Sequence, residues 1–173
     1  MPYIYHAVPR DMQGAVLYPL NKQREFDETL YEAHAKKYEG REHVMQQRIP
    51  LLSNCLWNDV LFFTAVHPAE FRVAFESGGH PRPRPFRAFC FDIADLDHTC
   101  MAVVTKMQTN EPKEYERFDQ KHFDEYATIP QATIDYWREA RAAGKERMFL
   151  YLHIPHILYL GSLDTAVASI VEA

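Results

Sequence analysis

The segment SNCLWNDVLFF, residues 53–63, constrains the fold of this chain more than any other. With Leu51 and Leu52 just ahead of it, the apolar side chains Leu56, Trp57, Val60, Leu61 and Phe62 carry the segment into the core. Asn54, Asn58 and Asp59 are carried along with them. Each must stand in a turn, bond inside the core or face a ligand, because buried polar groups are paired. Asn and Asp favour turns, where their side chains bond nearby backbone. Asn58-Asp59 therefore reads as the turn leading into a buried strand over DVLFFTAV, residues 59–66. Asn54 reads equally as a turn residue or, with Trp57, as the edge of a pocket beside His6. There the amide would supply donor and acceptor, and the indole a stacking face.

The rest of the chain alternates short extended pieces with short helices. YIYHAV (3–8) has the β-branched and aromatic content of a strand and is closed by Pro9; GAVLYPLN (14–21) is a second extended piece, stopped by Pro19. Residues 26–48 are helical by the three-to-four spacing of Phe26, Leu30, Ala33 and Tyr38, with Asp27 as cap. Gly40, which costs about 1 kcal/mol relative to Ala inside a helix, divides that region. Pro68 opens and Gly78 stops a helix over AEFRVAFES. GGHPRPRP is an extended loop, and FRAFCFDIAD (86–95) and CMAVVTKM (100–107) are strands. Residues 108–128 are polar, acidic and aromatic with little periodicity, as a surface loop or lid would be. QATIDYWREARAAG (131–144) is an amphipathic helix, MFLYLHIPHILYLG (148–161) reads as two strand pieces around Pro155, and ASIVEA closes the chain as a strand. Without a regular βαβ alternation, the expectation is an α+β fold with small mixed or antiparallel sheets and flanking helices. At 173 residues it is a single domain, 1–173.

Composition removes several function classes. A net charge of −5 is unlike that of a general nucleic-acid coat, and 47% hydrophobic residues are too many for a disordered chain. No apolar stretch has the roughly 18–20 residues needed to span a bilayer, so no membrane partner is expected. Cys55, Cys90 and Cys100 form no CxxC pair, which argues against a disulfide framework and a cysteine zinc site. The N-terminus MPYIYHAVPRDM lacks the basic-then-apolar order of a signal peptide, and the plain reading is cytoplasmic. GxSxG, HExxH, GxxxxGK and GxGxxG do not occur.

A few residues could carry chemistry. His6 stands in an otherwise apolar first strand: either a core histidine with one hydrogen bond, or a ligand-facing imidazole on a rigid element. Lys37 and Arg41 lie one helical turn apart and, on a continuous helix, share either a solvated face or a phosphate site. Arg82, Arg84 and Arg87 line an extended loop that is either merely soluble or able to meet a phosphate backbone. His153 and His156 point to opposite faces of a strand, so a metal site is not expected.

Taken together, IYHAVP, KYEGREHV, CLWNDV, VHP and HIPHILYLG resemble a group of short uncharacterised bacterial proteins, over nearly the whole chain and with no activity attached. A second likeness is to the ADP-ribosyltransferase-like fold. YHAV, with His6, is similar to its first-strand pattern without the Thr. LFFT, with Phe62, Phe63 and Thr64, is similar to a later strand that carries an aromatic and a small polar residue, with Phe in place of Tyr. That resemblance implies an NAD-dependent transferase acting on NAD or a related nucleotide, with nucleic acid or protein as acceptor. His6 would hold the nicotinamide ribose, Phe63 would pack on the ring, and a Glu would stabilise the oxocarbenium-like sugar. Glu125, Glu139 and Glu172 are candidates for that Glu without a supporting motif. The rival is a non-enzymatic interaction module, an adaptor, antitoxin-like or inhibitor protein using EPKEYERFDQKHFDEY (111–126) as its contact surface. A hydrolase using scattered His and Asp residues is a third.

Overall fold

A computed structural model describes residues 1–80, 87–106, 113–145 and 148–173. In chain order the strands are β1 (Tyr3–Ala7), β2 (Val16–Leu17), β3 (Arg48–Ile49), β4 (Cys55–Leu56), β5 (Val60–Phe63), β6 (Arg87–Asp92), β7 (Met101–Lys106), β8 (Glu114–Arg117), β9 (His156–Leu160), β10 (Leu163–Asp164) and β11 (Ser169–Glu172). The helices are α1 (Leu20–Gln23), α2 (Glu28–Ala35), α3 (Pro68–Ser77), α4 (Phe123–Tyr126) and α5 (Gln131–Ala142). The architecture is α+β, with small antiparallel sheets and a few helices. Among the described residues no helix is long and apolar enough to cross a membrane.

Two sheets dominate. One has the order β5-β9-β7-β8, the other β1-β6-β11. Among the described residues they are joined by one backbone bridge, where Tyr5 N–H donates to Thr64 O at 2.8 Å and Thr64 N–H donates to Tyr5 O at 3.0 Å. The four-stranded sheet is covered on both faces, which is why its strands read as unbroken apolar runs. Along β5, Leu61 and Phe63 enter one cluster while Val60 and Phe62 enter another. Along β7 the split is Met101 and Val103 against Ala102 and Val104, and in β9 Ile157 against Leu158. The first cluster fills the space between the two sheets with Ile4, Phe89 and Phe91, and Phe63 meets Phe91 edge-on at 5.7 Å. The second lies under Leu20, Tyr38, Ile49, Leu52 and Trp57. Each such side chain contributes roughly 1.5–3 kcal/mol by leaving water. A third cluster joins α3 to α5 through Phe71, Phe75, Trp137 and Ile154.

Local signals placed most ends well. Asp27 caps α2 by accepting from Leu30 N–H at 2.9 Å. Pro68 sits in the first turn of α3 and Gly78 is its C-cap. Three expectations fail. The helix over 26–48 stops at Ala35 and passes through 3₁₀ turns at Lys36–Tyr38 and Glu42–Gln46, so Lys37 and Arg41 share no continuous helix face; the break expected at Gly40 does occur, at φ +73°. The supposed loop or lid at 108–128 instead contains β8, paired antiparallel with β7, and α4; residues 107–112 lie outside the described residues. Of the two strand pieces in 148–161 only β9 forms. The segment before Pro155 turns, with His153 at φ +65°, and sends Ile154 into the third cluster. Arg82 and Arg84 of the GGHPRPRP loop lie outside the described residues.

Candidate functional site

Where β1 parts from β5, the backbone leaves a gap, and His6 fills its edge. Had the ladder continued past the Tyr5–Thr64 bridge, Phe62 would face Ala7. Instead the carbonyl of Phe62 accepts the His6 Nδ1–H at 2.8 Å, and the ring lies 5.3 Å from that of Phe63. A carbonyl cannot donate, so Nδ1 carries the proton and Nε2 of the neutral ring is an acceptor. Burial pushes the imidazole below its ordinary pKa of 6.5; the bond to Phe62 opposes this and the charge of Lys37 adds to it. His6 is therefore neutral at pH 7.

Beyond His6 opens a cavity of about 900 Å³, within the range of small-molecule sites. Its walls come from His6, the loop at 9–13, β2, α1, α2, Lys37, Asn58 and the Val60–Phe62 edge of β5. The chain reaches round it because Pro9 ends β1 and Pro19 precedes α1. On the α2 side His34 Nδ1–H donates to Gln23 Oε1 at 2.8 Å, and the Gln23 amide donates to Tyr18 O at 3.1 Å. That small network holds the two helices against each other.

Lys37 and Arg10 are the cationic side chains that line this cavity, and Lys37 is the one beside His6. Its side chain lies 5.0 Å from the Tyr38 ring, and no carboxylate pairs with it among the described residues. Although the residue is exposed, crowding by the protein pushes its ammonium below the usual lysine range. A charge held this way gains from an anion brought to it.

Asn58 is the third polar group. It lies in the 3₁₀ turn Trp57–Asp59 that delivers the chain into β5, and it is 1% exposed. Its neighbour Asp59 is fully occupied: one oxygen accepts from Leu56 N–H at 2.7 Å, the other from the Asn21 amide at 2.7 Å. Neither the nitrogen nor the oxygen of the Asn58 amide has a partner among the described residues. The turn reading of the pair thus divides: Asp59 makes the turn, and Asn58 is left over on the cavity wall.

Of the residues singled out from sequence, His6, Lys37, Asn58 and Phe62 line the cavity, whereas Asn54, Trp57, Phe63, Thr64 and Arg41 do not. Asn54 is exposed at φ +56°, with its carbonyl accepting from Arg48 at 2.9 Å. Trp57 is 4% exposed and packs in the second core cluster against Phe62 and beneath Lys113, so the pair does not edge the pocket. Phe63 is 1% exposed and faces the inter-sheet core; its neighbour Phe62 is the aromatic on the cavity side. Thr64 makes the inter-sheet bridge and accepts from Val66 N–H at 3.1 Å. Arg41 is exposed, donates to Lys37 O at 2.8 Å and lies 6.0 Å from Phe149. The strand alternation of VLFF could have chosen Phe62 over Phe63, but only with knowledge of which face is open. No family model, curated protein or solved structure matches this chain.

Proposed function

We propose that the cavity binds NAD or a related nucleotide and that the protein is ADP-ribosyltransferase-like. The observation that carries this reading is His6, a neutral imidazole with its Nδ1–H fixed on Phe62 O, on the wall of a ligand-sized cavity. Its Nε2 can accept from a ribose hydroxyl. Lys37, with Arg10, supplies the positive charge that a pyrophosphate requires, and Phe62, with Val60 and Leu61, supplies apolar wall for a ring. Fixed groups of this kind act mainly by positioning and electrostatic stabilisation.

The glutamates weighed from sequence stand apart from the cavity. Glu125 pairs with His122, Glu172 with Arg87, and Glu139 lies exposed on α5. Asp11 and Asp27 are the carboxylates among the described lining residues. Asp27 caps α2, so in this reading Asp11 is the group that would face an oxocarbenium-like sugar, with nucleic acid or protein as acceptor. A cavity lined by His6 is what the interaction-module alternative does not require, and it favours a ligand over a docking role.

Isothermal titration with NAD and with ADP-ribose tests this. The wild type binds at least one of them with a submillimolar Kd, and His6→Ala weakens it by about tenfold or more, the scale of one lost hydrogen bond. No binding of either ligand at millimolar concentration, or unchanged affinity in His6→Ala, would overturn the proposal.

A further inference from the structure

We infer that His34 is a second ligand-holding imidazole, placed to bind a hydroxyl of the adenosine ribose, so that the cavity holds both sugars of its ligand with the diphosphate between them. This rests on the cavity's being a nucleotide site. It deepens that reading by naming what the α2 wall recognises.

That wall is a helix face turned toward a space. Leu30, Ala33, His34 and Lys37 line the cavity at the i, i+3, i+4, i+7 spacing of one face of α2 and the 3₁₀ turn that continues it, yet no residue of α2 is buried. Within this face His34 is held by one nitrogen alone. Tyr18 O can only accept, so the atom of the Gln23 amide that meets it at 3.1 Å is the nitrogen. Oε1 of Gln23 is then the atom that faces His34 Nδ1 at 2.8 Å, and Nδ1 carries a proton. Nε2 is left without a partner among the described residues. It is not shut away, because the buried unpaired side-chain atoms among those residues belong to Asn58 and Trp137. His34 thus offers a fixed ring with a reachable nitrogen, which the Asn58 amide does not. A hydroxyl suits that nitrogen in either protonation state, since it donates to the neutral ring and accepts from the charged one.

The order of groups along the wall says which hydroxyl. Lys37 stands beside His6, where its charge is felt, and one helical turn from His34. The protein therefore presents imidazole, ammonium, imidazole; NAD presents ribose, diphosphate, ribose. With His6 on the nicotinamide ribose and Lys37 on the diphosphate, His34 falls to the adenosine ribose. Gln23 links His34 onward to Tyr18, whose ring lies 4.8 Å from that of Phe26. Both rings line the cavity and Phe26 is 63% exposed, which leaves an aromatic surface for the adenine that follows.

The test titrates NAD, and its analogues lacking the 2′- or the 3′-hydroxyl of the adenosine ribose, into wild type and His34→Ala. If ADP-ribose is the ligand that binds, the same analogues of ADP-ribose are used. Wild type binds one of the two deoxy analogues more weakly than the parent by about threefold or more, the scale of one hydrogen bond open to water. His34→Ala binds the parent as weakly as wild type binds that analogue, and no longer tells the two apart. A merely structural His34 could weaken binding by shifting α2, but it would leave the hydroxyl preference in place. Both analogues within about threefold of the parent in wild type, or a preference that persists in His34→Ala, overturns the inference. The nucleotide reading then still stands on binding of the parent and its weakening in His6→Ala. No binding of NAD or ADP-ribose by wild type overturns both. Should His34→Ala fail to fold, long-range ¹H–¹⁵N spectra of the labelled wild type decide the matter. Saturating parent ligand moves Nε2 of His34 in support of the inference, and an unmoved Nε2 overturns it.

Discussion

His6 and His156 are the same chemical device placed in two different surroundings. Each ring is packed by protein, each has Nδ1 bonded to a backbone carbonyl (Phe62 O at 2.8 Å, Ile154 O at 2.9 Å), and burial lowers the pKa of each. On the far side they differ. His156 stands edge-on to Tyr151 at 5.4 Å, beside the cluster that joins α3 and α5. His6 stands at a cavity wall with Lys37 and Asn58. A depressed pKa and a fixed tautomer therefore do not by themselves mark a site. What separates the two rings is what the second nitrogen can reach.

The comparison breaks most visibly under substitution. His156→Ala leaves a hole beside Tyr151 and an unpaired Ile154 carbonyl, at a cost of about 2–3 kcal/mol and a melting temperature roughly 5–10 °C lower, with nucleotide affinity unchanged. His6→Ala exposes the Phe62 carbonyl to the cavity, where water can replace the lost donor, and costs only about 1 kcal/mol while weakening nucleotide binding about tenfold or more. Thermal melts with and without NAD check both halves. Equal melting losses in the two variants would erase the distinction.

A smaller effect sharpens it. Lys37→Met removes a cation with no carboxylate partner among the described residues, so the melting temperature moves by about 2 °C at most. Nucleotide binding weakens and loses much of its dependence on salt, which titrations at low and high ionic strength would read. Binding that stays equally salt-sensitive in Lys37→Met would place the phosphate elsewhere.

Much of this fold was legible where one side chain settles one local question. Asp27, Pro68 and Gly78 mark helix ends because caps act over a few residues. The runs in β5, β7 and β9 stood out because both faces are covered. The misses share a physical cause, dependence on partners far along the chain. β8 is an edge strand with only Tyr115 packed inward, so Glu114, Glu116 and Arg117 make it look like a loop. Asp59 rather than Asn58 became the turn residue because Asn21, distant in sequence, takes its second oxygen. Phe62 rather than Phe63 faces the cavity because β1 peels away after Tyr5, which strand alternation cannot reveal.

The protonation states give a direct reading of the whole account. A histidine with a lowered folded pKa favours the neutral form in the native state. Below pH 6.5 the unfolded chain takes up the proton first, and stability falls as the pH drops from there through the folded pKa. Long-range ¹H–¹⁵N spectra of the labelled protein can follow both rings through that titration and then through addition of NAD at pH 7. The account predicts that His6 and His156 both titrate below 6.5 as Nδ1–H tautomers, and that NAD shifts Nε2 of His6 while leaving His156 where it was. A His6 ring that is doubly protonated at pH 7, or whose nitrogens do not move at millimolar NAD, would contradict it.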